Sequence, residues 1–367
     1  MVNSFKGLFS KKSKGVGIEL APDRINIVLL RRQGQKFRLA NYVTIPVPEG
    51  VFQEGQIVDQ SALAELIQSA MAENKIKAKQ VATAVLGGRD TVTRIIPVPA
   101  ELDDRELRDM VLNQEAGLYL PFPREEADVD YQKLGLFIDE DGIEKVQVLL
   151  VATRKEMTDS YIRTFRQAGL EIDVLEISSF SLIRTIRDQL RQFAPQEAVA
   201  IVDIEFESTE ISITVDGVPQ FSRTVPIGTY QIQSALSRAM NLPPSRSIDL
   251  LQGMTIPVSS DMGSRPGGTN PGTAAMLRIL GELADELRRS IDFYTNQGEN
   301  LEVAQLLLAG PGAAIGQLDE FFTQRLSLPC SQIDPVAALA LETPQDIPET
   351  VRPSLGVVLG LGLREAW

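Results

Sequence analysis

The sequence predicts an α/β protein with two similar domains and a βαβ-type subdomain inserted in the first. A pattern of three strands and a helix occurs near residue 16 and returns near residue 198. Between the two copies, the segment 81–175 carries a different series of strands and helices. The length of 367 residues agrees with this organisation, because it is too long for one compact core and suits two or three domains.

The first copy begins with the apolar run Val16 to Leu20, which has an acid, Glu19, near its end. Arg24 to Leu30 is predicted as a second strand, and the alternating segment Phe37 to Val43 as a third. A helix follows over Gln60 to Asn74, because its apolar residues fall on one helical face.

The second copy has the same order of elements. Its three strands and helix are predicted over Ala198 to Ile204, Thr209 to Val215, Gln220 to Val225 and Tyr230 to Met240. Asp216-Gly217 is a strong two-residue hairpin signal between the second and third strands. Asp203 stands near the end of the first strand, as Glu19 does in the first copy. A pattern that occurs twice indicates two related domains rather than a solenoid.

The remaining segments are predicted as separate elements. The insert contains the strand Val92 to Pro99, the helix Glu101 to Tyr119, the strand Lys145 to Ala152 and the helix Glu156 to Ala168. The Ser-, Gly- and Pro-rich stretch 259–272 is predicted to be a mobile loop. A long helix over Gly272 to Thr295 and an apolar strand over Glu302 to Ala309 follow it, and Gly310-Pro311-Gly312 joins that strand to a helix.

The composition excludes several kinds of chemistry. The chain has no histidine and one cysteine, Cys330, so Ser-His and Cys-His nucleophile pairs, a structural zinc site and an internal disulfide are ruled out. The net charge of -13 disfavours non-specific binding to nucleic acid. No apolar run reaches the roughly 20 residues that span a bilayer, and 43% hydrophobic with 23% charged residues predicts a soluble globular protein.

The duplicated acid-ended strands are typical of the actin-like ATPase superfamily. In such a site two turns face each other across a cleft, and backbone N–H groups bind phosphates while an acid holds hydrated Mg²⁺. Glu19 and Asp203 are the candidate acids for Mg²⁺ through water, although an acid after a strand also simply begins a turn. Ser208 and Thr209 are the candidate phosphate contacts in the second turn.

Two further segments are candidates for nucleotide contacts. Gly310 and Gly312 follow an apolar strand and permit close approach to a nucleoside, or else tight strand–helix packing. Arg289, next to Arg288, is a candidate to flank an adenine; the alternative is a solvated basic turn of a helix. If bound at all, ATP and Mg²⁺ are therefore assigned to Glu19, Asp203, Ser208, Thr209, Arg289, Gly310 and Gly312.

Several segments resemble the PilM family of type IV pilus assembly proteins, which are actin-like and related to FtsA. The resemblance rests on 115–123 (EAGLYLPFP), 148–156 (VLLVATRKE), 286–294 (ELRRSIDFY) and 360–364 (GLGLR), and extends over essentially the whole chain. It implies two actin-like (ribonuclease H-like) domains. The expected first domain takes 15–80, 176–197 and 345–367, after a flexible basic segment 1–14, and the insert takes 81–175. The second domain takes 198–235 and 300–344 as its core and 236–299 as an outer subdomain.

The resemblance also implies a role and partners. It implies a cytoplasmic scaffold at the inner-membrane face that binds the N-terminal peptide of PilN, contacts the membrane through PilN, and connects to the motor ATPase of the pilus. That peptide is expected to lie between the first domain and the insert, where Arg94, Glu115 and Tyr119 are the candidate contacts. We expect Arg94→Ala to weaken peptide binding.

Both phosphate turns depart from the family pattern. The first usually reads DIGSSS and is ELAPDR over 19–24 here, and the second usually reads DIGASST and is DIEFEST over 203–209. The turn glycines are lost, Pro22 lacks an N–H, and Asp23, Glu205 and Glu207 place carboxylates where a polyanion would lie. The sequence therefore predicts a degraded nucleotide site with little or no ATPase activity.

Two alternatives of the same superfold remain open from the sequence. A sugar or acetate kinase would need intact phosphate turns and a catalytic carboxylate base, and a coupled ATPase assay would detect it. An FtsA-like filament-forming ATPase would carry an amphipathic membrane helix at its C-terminus, whereas this sequence ends in REAW. Sedimentation with and without nucleotide would detect filaments.

Overall fold

The computed structural model describes residues 15–34, 36–88, 90–257, 270–297, 301–344 and 346–364. The expected flexible segment 1–14 and most of the expected loop 259–272 lie outside these residues. The described strands are β1 Val16–Leu20, β2 Arg24–Gln33, β3 Lys36–Pro46, β4 Phe52–Gln53, β5 Gln56–Ile57, β6 Gln80–Val85, β7 Thr91–Pro99, β8 Ala127–Ile138, β9 Glu144–Arg154, β10 Glu171–Ile177, β11 Ala198–Ile204, β12 Thr209–Val215, β13 Val218–Val225, β14 Val303–Ala309 and β15 Cys330–Gln332.

The described α-helices follow the same numbering along the chain. They are α1 Gln60–Glu73, α2 Asp104–Asp109, α3 Ala116–Tyr119, α4 Lys155–Gln167, α5 Ser178–Thr185, α6 Arg187–Leu190, α7 Thr229–Ala239, α8 Asp249–Gln252, α9 Pro271–Thr295, α10 Leu318–Leu326, α11 Pro335–Ala338 and α12 Gly356–Arg364.

Two five-stranded sheets form the centres of the two domains. The first has the order β10-β6-β1-β2-β3 and the second β15-β14-β11-β12-β13. In each sheet three successive strands pair antiparallel, and the first of them pairs in parallel with a strand from later in the chain. At the hairpin between β12 and β13, Asp216 and Gly217 both have positive φ, as a tight two-residue turn requires. The shared strand order confirms the α/β fold class and the internal repeat.

Helices α5 and α12 lie between the two sheets. Their apolar residues form one cluster with Ala82 and Ala84 of the first sheet and with Val199 and Ile201 of the second. At Gly360 of α12 the helices approach so closely that a Cβ atom would lie 2.0 Å from the carbonyl oxygen of Ser181. This close crossing requires glycine, and it sets the spacing between α5 and α12.

The insert contains the separate sheet β7-β9-β8 and the helical segment from α2 to α3. β7 and β8 both run antiparallel to β9, which lies between them, so the insert is a split βαβ unit. The helical segment begins after Asp103, later than the predicted Glu101, because Asp103 and Glu106 form a capping box. A π-helical stretch, Met110–Glu115, connects α2 to α3.

The separate sheet covers less of the chain than the expected insert range of 81–175. β6 and β10, at the two ends of that range, pair in parallel inside the first sheet. α4 also packs on the first domain, where Tyr161 and Phe165 join its apolar core. The split βαβ unit therefore takes about 91–154. Strand periodicity does not reveal which distant strands will pair, so it could not locate these limits.

In the second domain, α7 and α9 pack on one face of the sheet in a single apolar cluster. The expected boundary between 235 and 236 falls inside α7, because this helix continues to Ala239. After Gly310, the expected helix is only a 3₁₀ turn, Pro311–Ala314, and α10 begins at Leu318.

Candidate functional site

The two predicted acids lie at the cleft between the domains. Glu19 is near the end of β1 and Asp203 near the end of β11, and both side chains are buried, at 2% and 5% exposure. The turns that follow these strands face each other, since a side chain of the first turn contacts one of the second. The structure therefore brings together the two turns that the internal repeat singled out.

That contact is an ion pair between Arg24 and Glu205. Nη2 of Arg24 lies 2.9 Å and 2.7 Å from the two carboxylate oxygens of Glu205, and both residues are buried. Nη1 of Arg24 also donates to Asp23 Oδ1 at 3.1 Å. We call Arg24, Glu19, Asp23, Asp203 and Glu205 the Arg24 cluster. Its guanidinium joins the two turns from inside the cleft.

Glu19 is incompletely satisfied by its neighbours. Its Oε2 accepts a hydrogen bond from Asn26 Nδ2 at 3.0 Å, and Asn26 is held in turn by the Thr44 hydroxyl. Its Oε1 lies 3.7 Å from Arg24 Nη2 and has no hydrogen-bond partner among the described residues. Burial raises the pKa of Glu19 to about 7, although the nearby Arg24 guanidinium opposes this shift.

The other buried carboxyls of the cluster are also shifted. Burial raises the pKa of Asp203 well above its ordinary value, and the charges of Glu205, Glu19 and Glu210 add to the shift. Burial raises the pKa of Glu205 as well, against the attraction of Arg24. The cleft is thus a buried acidic site in which Arg24 supplies positive charge.

Ser208 and Thr209 have structural partners in the second turn. The Thr209 hydroxyl is buried and donates to the Ile227 carbonyl at 2.6 Å. The Ser208 carbonyl accepts from the backbone N–H of Glu205 at 2.9 Å, which closes the turn. Ser208 also lines a cavity of about 470 Å³, together with Glu205 and Phe206.

Gly310 and Gly312 pack tightly against β11. Gly310 has a φ of +77°, and a Cβ atom there would lie 2.5 Å from Asp203 Oδ1. A Cβ atom at Gly312 would lie 2.3 Å from the Ile204 side chain. These glycines therefore permit the close strand packing that was one of their two predicted roles, and Gly310 brings the backbone directly against Asp203.

Arg289 lies away from the Arg24 cluster. It is on the exposed side of α9 and pairs with Glu286, which also accepts from Arg223. It lines neither of the two cavities beside the cluster. This placement matches the alternative interpretation, a solvated basic turn.

Sequence reasoning did not identify Arg24 and Arg246 as site residues. Arg246 Nη2 donates to the Pro22 carbonyl at 2.7 Å, and its guanidinium stacks over the Phe206 ring at 4.7 Å. It is therefore a second link between a residue of the second domain and the first turn. The sequence did contain a signal for Arg24: it is a basic residue in the first altered turn, and the second altered turn has gained two acids, Glu205 and Glu207.

The Arg24–Glu205 pair separates two cavities of the cleft. Glu205 lines the cavity of about 470 Å³, and Arg24 lines another of about 730 Å³ together with Asn26, Tyr42 and Pro311.

Within the residues that the structure describes, no group of three or more Cys, Asp or Glu side chains is arranged to hold a metal ion.

A further cavity of about 540 Å³, which we call the insert groove, lies between the insert and the first domain. It is lined by consecutive residues of β8 and of β10, with Leu149 and Val151 of β9 and Phe180 of α5. β8 and β10 are each an edge strand of their sheet. The insert groove thus lies between two sheet edges that have hydrogen-bonding capacity to spare.

The predicted partner-binding residues lie outside the lining of this groove. Arg94 is exposed on β7, on the same face as Ile96 and Val98, which the helical segment of the insert covers. Glu115 and Tyr119 are on that helical segment. The groove is lined by β8 and by the face of β9 that the helical segment leaves uncovered. Alternation of residues within β7 alone could not indicate which face of the sheet is covered.

Comparison with known proteins gives a family and several similar structures. Residues 17–248 and 276–366 match the family model of the type IV pilus assembly protein PilM. A solved PilM–PilN type IV pilus biogenesis complex contains a chain that is 25% identical, with 97% of this chain and 99% of that chain covered and a TM-score of 0.81.

Two other solved structures share the fold. The ethanolamine utilization protein EutJ from Carboxydothermus hydrogenoformans is 13% identical over 95% of this chain and 88% of its own, with a TM-score of 0.53. MreB5 of Spiroplasma citri bound to ADP is 10% identical over 95% of each chain, with a TM-score of 0.51. Among the described residues, no helix is both long and apolar enough to cross a membrane.

Proposed function

Because the chain belongs to the PilM family of type IV pilus assembly proteins, we propose that it is a pilus assembly scaffold that binds the N-terminal peptide of PilN. The scaffold sits at the cytoplasmic face of the inner membrane, reaches the membrane through PilN, and connects that complex to the pilus motor ATPase. The observation that carries the peptide-binding role is the insert groove.

The groove suits an extended peptide. Residues 128–132 of β8 and 174–177 of β10 line it in unbroken order, so the strands present their edges as well as their faces. A peptide between two sheet edges can pair with backbone groups on either side and place alternate side chains against Leu149, Val151 and Phe180. The similar chain in the PilM–PilN complex supports this assignment of the partner.

Asp130→Lys should weaken binding of the PilN peptide about tenfold, which corresponds to about 1.4 kcal/mol. Asp130 is exposed and lines the groove, so the longer, oppositely charged side chain both fills space and repels the amino end of a peptide. Fluorescence anisotropy with a labelled peptide measures the affinity.

Glu140→Lys is the matched control, because it makes the same charge change on the β8–β9 turn outside the groove. It should bind the peptide as the unmodified protein does. Arg94→Ala tests the location predicted from the sequence. Equal affinity of the Asp130 and Glu140 variants, with a loss in the Arg94 variant, would move the peptide to the helix-covered face of the insert.

The proposed scaffold role does not depend on ATP. The residues of the two turns fit ATP–Mg²⁺ poorly, because a polyphosphate entering the cleft would meet the Glu205 carboxylate and the buried, incompletely ionised carboxyl groups of Glu19 and Asp203. The Arg24 guanidinium, which could attract phosphate, is already engaged by Glu205. We therefore expect weak or absent ATPase activity.

ATP should bind the unmodified protein only weakly in calorimetry, and the double variant Glu205→Gly/Phe206→Ala should bind it more tightly. The double change releases Arg24 from Glu205, removes a carboxylate, and restores the small residues of the family turn. Phe206 packs against Tyr230 and Arg246, so thermal unfolding must show that the double variant is folded. Tight ATP binding by the unmodified chain that the double change leaves unaltered would contradict the proposal.

A further inference from the structure

A second cavity, of about 400 Å³, adjoins the insert groove. Leu149, Phe180 and Arg184 line both of them, so the two spaces meet at these side chains. The floor of the second cavity is apolar, with Ile183 and Leu190 from the helices that follow β10. We call it the arginine-rimmed cavity because Arg184, Arg187 and Arg191 line it.

The three arginines differ in how they are paired. Arg184 is held by Glu176 through two hydrogen bonds of 2.7 Å, and Arg191 lies 3.4 Å from the exposed Asp188. Arg187 is exposed, and its guanidinium forms no hydrogen bond or ion pair with any residue that the structure describes. The cavity has one acidic lining residue, Asp216, which forms no ion pair with the three arginines among the described residues. Three arginines against one acid, over an apolar floor, mark this rim as a site for an anionic group.

The charge has the opposite sign at the other end of the insert groove. The β8–β9 register sets Asp128 beside Thr153, Asp130 beside Val151 and Gln132 beside Leu149. Asp128 therefore lies four residues, or roughly 13 Å, along the strand from the point where the two cavities meet. Neither Asp128 nor Asp130 forms an ion pair within the described part of the chain, so this end favours a cation.

We propose that the arginine-rimmed cavity binds an acidic residue of the same partner peptide that occupies the insert groove, with a neighbouring apolar side chain on its floor. This inference rests on the proposed function. The change of charge along the groove gives the peptide one direction. Its amino end lies by Asp128 and Asp130, and the carboxylate of its acidic side chain lies by Arg187 and Arg191. Complementary charges of this kind fix register and exclude wrong partners more than they add affinity.

The test compares two lengths of the synthetic PilN N-terminal peptide, labelled at the carboxyl end so that the amino group stays free. The short peptide has about four residues, which span the roughly 13 Å from Asp128 to the point where the two cavities meet at roughly 3.3 Å per residue, and the long one has about twenty. A third peptide is the long one with glutamine and asparagine in place of its acids. Anisotropy is measured at low and at high salt.

The long peptide should bind about fivefold more tightly than the short one at low salt, a gain typical of exposed charge pairs. The gain should disappear with the amide peptide, at high salt, and in the variant Arg187→Glu/Arg191→Glu. The control Arg31→Glu/Arg238→Glu has the same change of net charge at two exposed arginines that line neither cavity, and it should keep the gain.

Equal binding of the acidic and amide peptides, or a gain that survives the Arg187/Arg191 reversal, would overturn this inference. Binding of the short peptide is independent of these outcomes, because it does not reach the rim. Its loss in the Asp130→Lys variant tests the insert groove alone, so failure of the proposed function and failure of the inference give different results.

Discussion

Arg24→Ala is expected to lower the free energy of unfolding by about 3–5 kcal/mol at pH 8, the usual result of removing one partner from a buried ion pair. The substitution leaves the carboxylates of Glu205, Glu19 and Asp203 close together in the cleft, where burial already raises their pKa values. Urea unfolding followed by circular dichroism measures the loss. Because acidification protonates these carboxyls, the loss should shrink at pH 5.

The control is Arg94→Ala, which removes an exposed arginine and should change stability by no more than about 0.5 kcal/mol. A double-mutant cycle with Glu205→Ala separates the pair from its surroundings. The second substitution should cost much less in the Arg24→Ala background than alone, because the charge it removes is then unpaired. Additive losses would mean that Arg24 and Glu205 do not stabilise each other across the cleft.

Glu19→Gln is expected to raise the free energy of unfolding at pH 8 by about 3 kcal/mol, from the 1.36 kcal/mol that each pKa unit represents. The pKa of Glu19 rises from 4.5 to about 7, chiefly through burial. Its stabilising contribution is therefore complete below pH 4.5 and is lost as the pH rises through about 7. Glutamine keeps an oxygen for Asn26 and carries no charge to bury.

The gain should be present at pH 8, shrink to roughly a quarter of that value at pH 5, and vanish only below about pH 4, where Glu19 is protonated in both the folded and the unfolded protein. Urea unfolding across this range measures it, with Glu140→Gln as a control on an exposed acid of the insert. The stability of the Glu19→Gln variant should still decline as the pH rises, because burial also raises the pKa values of Asp203, Glu205 and Glu210. An unchanged or lower stability of Glu19→Gln at pH 8 would contradict this account of the cleft.

The repeat could be predicted from sequence because its signals are local. Acid-ended apolar runs, alternating strands and the Asp216-Gly217 turn are visible within a few residues, and each is an element of the structure. The positions of Glu19 and Asp203 in the cleft follow from that duplication. The split βαβ unit was likewise visible as a series of elements between the copies.

The rest depended on long-range pairing. Arg24 and Glu205 are 181 residues apart in the sequence. They form an ion pair only because the fold places the two turns opposite each other. The insert groove depends on β10 being an edge of the first sheet, which strand alternation does not reveal. Arg94 lies on the helix-covered face of β7 for a similar reason, since only the packing of the helical segment decides which face of that sheet is free.

The position of α12 between the sheets has a consequence for the order in which the protein folds during synthesis. The strands of the first domain are complete at Ile177, but Val358 and Leu361 of α12 cover that domain only after the whole second domain has been made. At about 5–20 residues per second, the ribosome takes on the order of ten seconds or more to add them. During this interval the face of the first sheet that α12 covers stays open, so the second domain must be built beside an unfinished neighbour.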